Sequence, residues 1–307
     1  MNWLTAARNR LRAFATIESR LARIQEALGR IESRQILDAG PPGLRGKEFR
    51  VFSQWGEDGI LQYLTREVRV ARRTFIEFGV ENYVESNTRF LLVNDNWSGL
   101  VIDGSADNIR YIRDDDIYWR HNLKADCRFV TRENIDDILR DNGMSGEVGL
   151  LSIDIDGVDY WVWKAITAVS AAIVVIEYNA RLGPEAVLTV PYDPAFVRSV
   201  ADGSNIFYGA SLAALRALGR EKGYTFVGCN SSGNNAFFVR DDLMTPALNE
   251  VASTADFVAH RFREARGPDG SLLYLSPEEE QALVGNFPWV DPTAATGDGG
   301  DRGDRHE

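Results

Sequence analysis

From about Lys47 onward, short apolar runs alternate with amphipathic stretches, and this alternation constrains the fold more than any other feature of the chain. "TFIEFGV" (74–80) reads as a buried strand and "ESNTRFLLVND" as the helix after it. "GLVIDGS" (99–105) is the next strand and "ADNIRYIRDD" the next helix. "ADCRFV" reads as a third strand, followed by the helical "TRENIDDILRDNG", where Thr131 and Asn134 make an imperfect capping box. "VGLLSIDI" and "AAIVVIEYN" (171–179) follow, the second β-branched and unbroken, as befits a strand buried on both faces. "SLAALRALGREKG" is a helix stopped by glycine, and "YTFVGCNS" and "NAFFVRDD" stand close enough to pair as a hairpin. The alternation predicts an α/β fold: a doubly wound, mostly parallel sheet with helices on both sides and a C-terminal antiparallel hairpin strand.

The first 36 residues form a segment of their own. Phe14, Leu21 and Leu28 recur every seven residues, and Ile17, Ile24 and Ile31 do so three positions later, giving an N-terminal heptad helix. Leu at one seam position and Ile at the other favours more than two strands. Seven Arg and three Glu make the segment locally basic in a chain of net charge −11. Three readings are open: a helix docked on its own domain, a coiled coil that makes a homo-oligomer through residues 1–36, or a basic helix in peripheral association with a membrane, Trp3 and Leu4 dipping in. The domain plan is then the heptad helix over 1–36, a turn-rich linker over 37–50, a catalytic-size domain over 51–290 and a polar, Gly-rich, disordered tail over 291–307. The acidic balance excludes a general nucleic-acid binder. Cys127 and Cys229, without metal-ligand spacing, point to reduced thiols in a cytoplasmic protein, at the inner face of the membrane if the basic helix lies there. No apolar run is long enough to span a bilayer, and no signal peptide is evident.

Ligands of an open parallel sheet bind beyond the carboxyl ends of its strands. Polar residues recur at those points: Glu77, Gly79 and Glu81 after the first strand, Asp103 after the second, Asp154 and Asp156 after the fourth, Glu177 and Asn179 after the fifth. A single acid there is ordinarily a turn or cap residue, but four strands ending alike make a site the better reading. Asp103 is placed to accept both hydroxyls of a ribose. The first loop, "EFGVENYVESNT", has one glycine, and no P-loop lysine is present, which disfavours a dinucleotide whose pyrophosphate needs the glycines. A phosphate-free cofactor with a cationic centre suits the acids better, and S-adenosyl-L-methionine is such a molecule.

The succession "FIEFGV", "GLVIDGS", "IDIDGVDYWVW", "VVIEYN" resembles a class I S-adenosylmethionine-dependent methyltransferase. Its third piece is similar to the FkbM-type family, whose Asp-x-Glu-Gly-x-Glu run stands here as Asp154, Asp156 and Asp159, with Asp for both Glu. "SQWGEDGIL" and "YGASLAALRALGREKGY" with "GCNSSGNNAFFV" fit the same group, so the resemblance spans roughly residues 52–242. It departs in the first loop, which lacks the second and third glycines. The resemblance implies a Rossmann-like fold and a methyltransferase activity. It places Glu77 and Gly79 at the methionine end of the cofactor, Asn87 with Ser86 and Thr88 at the helix beneath it, Asp103 on the ribose, and Asp154 and Asp156 beside the transferred methyl. It also implies an acceptor hydroxyl on a sugar or glycan, in a cell-surface polysaccharide or a glycosylated metabolite. By position, Ser53 and Gln54 would form a lid.

Methyl transfer to oxygen needs the acceptor aligned with the methyl and its proton removed. Asp154 and Asp156 are candidates for that proton, and His121, in "YWRHNLKAD", is a third. A divalent ion would acidify the hydroxyl, and related sugar and catechol O-methyltransferases place one at the ends of strands four and five. Asp154, Asp156, Glu177 and Asn179 are hard oxygen donors suited to Mg2+, with Asp154, Glu177 and Asn179 the foremost candidates; without an ion they would bind the cofactor amine and cap helices. Tyr160, Trp161 and Trp163 are core residues or a stacking surface for a sugar, and the loop "ARLGPEAVLTVPYDPAF" is a candidate substrate wall. The rival from another class is a non-catalytic Rossmann-fold scaffold, with or without the cofactor, assembled through the heptad helix. An NAD-dependent oxidoreductase is disfavoured by the missing glycines.

Overall fold

The computed structural model of the chain describes residues 3–38 and 43–294. It opens with α1 (Trp3–Asp38) and α2 (Glu57–Glu67), then β1 (Thr74–Phe78), α3 (Arg89–Asp95), β2 (Ser98–Asp103), α4 (Ala106–Asp114), α5 (Asp116–Arg120) and β3 (Leu123–Cys127). The second half runs α6 (Ile135–Asp141), β4 (Gly146–Ile153), α7 (Asp159–Ala165), β5 (Val169–Glu177), α8 (Arg198–Ala201), α9 (Leu212–Glu221), β6 (Tyr224–Cys229), β7 (Asn235–Arg240), α10 (Pro246–Ser253) and α11 (Pro277–Val284). The seven strands form one sheet in the order β3-β2-β1-β4-β5-β7-β6. The first five are parallel; β7 runs antiparallel to both β5 and β6. This is the Rossmann-like, doubly wound sheet with an antiparallel C-terminal hairpin that the alternation of patterns predicts.

The strands are apolar on both faces because helices cover both. Ile76, Phe78, Leu100, Ile102, Leu151 and Ile153 pack into one core, while their neighbours Phe75, Val101, Leu150, Ile173 and Val175 pack into the other. Three elements differ from expectation at their ends, among them α3, which begins at Arg89 rather than Glu85. Strand β3 begins and ends earlier than "ADCRFV", which leaves Arg128 and Phe129 in the loop beyond the rim. Helix α6 begins only at Ile135, and only half of the expected box forms: the Thr131 N–H donates to Asn134 Oδ1 at 2.8 Å.

Helix α1 docks on the domain, but not by its heptad seam. Gly29 and Ser33 are buried, Ser33 Oγ donates to Gln62 Oε1 at 2.7 Å, and Arg66 donates to the Ser33 carbonyl at 2.7 Å. A Cβ at Gly29 would fall 2.5 Å from Val51, so only glycine lets the helix approach this closely. Gln25 hydrogen-bonds the Val51 carbonyl, and Ile36 packs beside Phe49, Val51 and Phe90. Within the stretch read as a linker, Leu44 and Phe49 are buried. The side chains of Trp3, Leu4 and Phe14, and the tail from 295 onward, lie outside the described residues. Among the described residues, no helix is long and apolar enough to cross a membrane.

Candidate functional site

Strand register brings the predicted residues to one rim. Phe78 pairs with Ile102 on one side and Ile153 on the other, and Ile153 pairs with Ile176. Gly79, Asp103, Asp154 and Glu177 therefore all emerge at the carboxyl edge, around the point between β1 and β4 where the strand order reverses. A cleft in two lobes opens there. One lobe, about 190 Å³, is lined by Asp103, Arg128, Phe129, Val130, Ile155 and Phe196. The other, about 220 Å³, is lined by Gln54, Glu77, Asn87, Glu177, Arg198, Asn235 and Glu264. Gly79, Glu81, Asp154 and Asp156 border both.

Gly79 is fixed by geometry. Its φ is +70°, its N–H donates to the Ile102 carbonyl at 3.0 Å, and a Cβ would sit 1.5 Å from the Asp154 carbonyl oxygen. Only glycine fits where β1 and β4 close on each other. Glu77 turns out to organise the loop beside it. Its carboxylate accepts from Ser86 Oγ at 2.7 Å, from the Asn87 N–H at 2.9 Å and from the Thr88 N–H at 3.2 Å. Burial pushes this carboxyl upward, and those donors, Thr88 and Ser86 foremost, hold the rise in check. This clasp is why α3 starts at Arg89 rather than at Glu85, and it sets Asn87 against Ser152, Nδ2 to Oγ 3.1 Å. Asp103 accepts from the Glu81 and Ser105 N–H groups at 2.9 and 2.8 Å and from Asn108 Nδ2 at 3.1 Å. Oδ1 takes the Ser105 and Asn108 donors and Oδ2 only that of Glu81, so Oδ2 keeps a lone pair for a further donor at the border of the smaller lobe.

The three aspartates of "DIDGVD" divide their work. Asp159 is buried and accepts from the Ile155 and Gly157 N–H groups at 2.8 and 2.9 Å, so it clasps the loop rather than facing a ligand. Asp156 sits at φ +56°, a left-handed conformation that Asp tolerates better than most residues, and its exposed carboxylate pairs with Arg198. Asp154 is half-buried at the junction of the lobes. Carboxylate oxygens of Asp154, Asp156 and Glu177 lie within 4.8 Å of one another. Glu177 is buried, and its Oε2 has no hydrogen-bond partner among the described residues. Burial, then the charges of Asp156 and Asp159, lift the Asp154 carboxyl well above the usual range; burial, then Asp154 and Asp156, do the same to Glu177. Arg198 offsets part of this. It bridges to Glu264 at 2.8 Å and lies 3.6 Å from the Tyr208 ring centroid.

Three expectations are corrected. Asn179 is no ligand in this cluster: its Nδ2 donates to the carbonyls of Ile206 and Tyr208 at 3.0 and 3.1 Å, and its Oδ1 caps the following turn. Of the four oxygen donors named from the sequence, Asp154, Asp156 and Glu177 come together. His121 lies two residues before β3, where the Asn122 carbonyl accepts from Gly99 at the amino edge of the sheet. The four-residue length of strand from Gly99 to Asp103, about 13 Å, separates that edge from the rim. Ser53 is no lid, since its N–H and hydroxyl are both spent on Asp58 at 2.8 and 2.9 Å; Gln54 does border the cleft. Of the aromatics, Tyr160 and Trp163 are core, and Trp161 donates its ring N–H to the Val190 carbonyl at 2.9 Å. The long loop after β5 does supply a wall, through Phe196, with Arg198 opening α8 just beyond it, and the loop after β3 supplies Phe129. None of these three has a sequence signature; an exposed Phe directly after a strand, as at 129, is the nearest to one.

No family model and no curated protein matches the chain. Among solved structures it is similar to the N-terminal domain of EvdMO1 with SAH bound, at 15% identity and TM-score 0.40, over 68% of this chain and 94% of that one. It is similar to an S-adenosylmethionine-dependent methyltransferase from Clostridium acetobutylicum, at 12% identity and TM-score 0.39, over 60% and 90%. It is also similar to an O-methyltransferase family protein from Burkholderia thailandensis, at 13% identity and TM-score 0.36, over 71% and 70%. Scores of this size carry no weight for chemistry or substrate, and the functional reading rests on the site itself.

Proposed function

We propose that the chain is an S-adenosylmethionine-dependent O-methyltransferase acting on a hydroxyl of a sugar or glycan. The observation that carries the reading is the joining of two unlike lobes at Asp154: a slot walled by Phe129, Ile155 and Phe196 with Asp103 inside it, and a cluster of three carboxylates with an unpartnered, buried Glu177 oxygen.

The residues fit the groups this reading requires. The apolar slot suits a nucleobase, and the free lone pair of Asp103 Oδ2 suits a ribose hydroxyl. Asp154, Asp156 and Glu177 offer the hard oxygens that Mg2+ prefers, and Glu177 Oε2 is a donor without a partner. When bound, S-adenosylmethionine supplies the electrophilic methyl and Mg2+ the Lewis acidity that lowers the hydroxyl's pKa. The chain's own residues do the rest. Asp154, raised in basicity by burial and by its neighbours, is the better proton acceptor for a weakly acidic hydroxyl. Arg198 holds Asp156 in place and tempers the charge of the cluster. Gln54, Glu81, Glu85, Asn235 and Glu264 give the larger lobe an acceptor-rich wall, suited to a polyhydroxylated ligand and hostile to an anion.

Calorimetry with S-adenosylmethionine, NAD and Mg2+ in turn tests the reading. The expected result is binding of the first and third but not NAD, and formation of S-adenosylhomocysteine with a glycan that gains the mass of one methylene. No binding of S-adenosylmethionine would remove the enzyme reading.

A further inference from the structure

The heptad seam of α1 has no partner within the described chain. Ile17, Leu21, Ile24, Leu28 and Ile31 are each between 50% and 59% exposed, although together with Ile36 they are the most apolar of the helix's described side chains. The face that touches the domain is a different one. With Leu21 and Leu28 at position a and Ile17, Ile24 and Ile31 at position d, the docked residues Gly29 and Ile36 fall at b, Ser33 at f and Gln25 at e. At about 100° per residue the docked face is turned roughly 115° from the seam. Docking therefore fixes the helix on its small and polar side and presents the apolar stripe outward. A lone surface helix would be expected to bury that stripe.

We infer that α1 is an assembly element: the outward seam packs against the same seam of other copies of this chain, in a parallel coiled coil of three or four strands. Leu at a with Ile at d favours more than two strands. The flanks choose the direction. Position g carries Arg20 and Arg34, and position e carries Glu18 and Glu32. Parallel packing sets g of one helix beside e of the next, joining basic flank to acidic flank; antiparallel packing would set Arg beside Arg and Glu beside Glu. The domain, held on the b and f side, stays on the outside of such a bundle. This placement gives each copy a free cleft, because the rim residues lie on the domain and not on the seam.

Light scattering on the full chain tests the inference. The wild type is expected at three or four times the monomer mass, and Leu21→Asp with Ile24→Asp at the monomer mass. Both side chains are exposed, so the near-UV circular dichroism of the domain should not change. A second variant reads direction: Ile17→Cys, in a Cys127→Ser background, should crosslink to itself under mild oxidation only if the helices run parallel and in register. A monomeric wild type, or an association that survives both aspartates, would overturn the inference. So would sedimentation of a monomeric wild type with anionic phosphatidylserine vesicles, abolished by the same aspartates, since the seam would then serve a membrane.

Discussion

Glu177→Gln separates the electrostatics of the cluster from its ligand chemistry. Glu177 lies within 4.8 Å of the carboxylates of Asp154 and Asp156, and its Oε2 has no donor. Two unit charges at that separation repel by about 3.5 kcal/mol at an effective dielectric constant of 20. Glu177 meets this repulsion from both aspartates; Arg198, paired with Asp156, cancels most of the second and part of the first, which leaves roughly 2 kcal/mol of destabilisation when the cluster is fully ionised. The carboxyl of Glu177 is raised, first by burial and then by Asp154 and Asp156. The folded chain thus binds more protons than the unfolded chain between the ordinary carboxylate pKa and the raised one, and stability falls as pH climbs through that window. Glutamine is isosteric, cannot ionise, and brings an amide N–H within reach of Asp154. Without divalent ions the variant should melt roughly 4 °C above wild type at alkaline pH, with the gap closing towards pH 4. Adding Mg2+ should raise the wild-type melting temperature and leave the variant nearly unmoved. A variant that melts at or below wild type across the whole range would refute the repulsion argument; a variant that still gains stability from Mg2+ would refute the ligand assignment.

Other substitutions probe the cleft one residue at a time. Asp103→Ala removes a charged acceptor from the ribose position and should weaken S-adenosylmethionine binding roughly 10- to 100-fold by calorimetry; unchanged affinity would make Asp103 a loop brace only. Gly79→Ala places a methyl on the Asp154 carbonyl at a positive φ, so both melting temperature and cofactor binding should drop, and a variant that binds normally would show that the two strands do not close as described. His121→Ala, at the far edge of the sheet, should leave kcat and its pH profile as in the wild type, whereas loss of a basic limb from that profile would restore it as the base.

The sheet was legible because its signal is redundant. Buried strands need apolar residues on both faces, and five such runs separated by helical stretches leave few topologies. The rim acids were legible for the same reason: parallel strands all end on one side, so residues at strand ends share an edge without any knowledge of packing. His121 shows where that logic stops. Its residue type suggests a place near the site, but it precedes a strand, and in a parallel sheet the residue before a strand sits at the opposite edge. Asn179 failed differently. It lies two residues after Glu177, but the chain has already turned, and two carbonyls from the loop that follows claim its amide. Phe129 and Phe196 come from loops, and Arg198 from the short α8 that follows one, whose course depends on contacts far along the chain, so no local pattern announces them. In α1 the seam was legible as a period, but the docked face was not, because Gly29 and Ser33 bind by closeness and hydrogen bonding rather than by hydrophobicity.

Three aspartates within six residues carry the same functional group and have unlike fates, and the cause is backbone geometry alone. Asp159 opens α7, where its two oxygens meet the N–H groups of the loop that folds back over it. That clasp holds residues 155–157 in a tight turn, and the turn forces Asp156 into the left-handed region. From there the Asp156 carboxylate points away from the loop's own N–H groups and towards Glu177 and Arg198. Asp154, at the end of the strand, is left without a loop donor of its own and takes the charge of both neighbours. The reactivity of one carboxylate is therefore made by the satisfaction of another. A sequence motif read as three interchangeable acids would miss that the least chemical of the three is the one on which the other two depend.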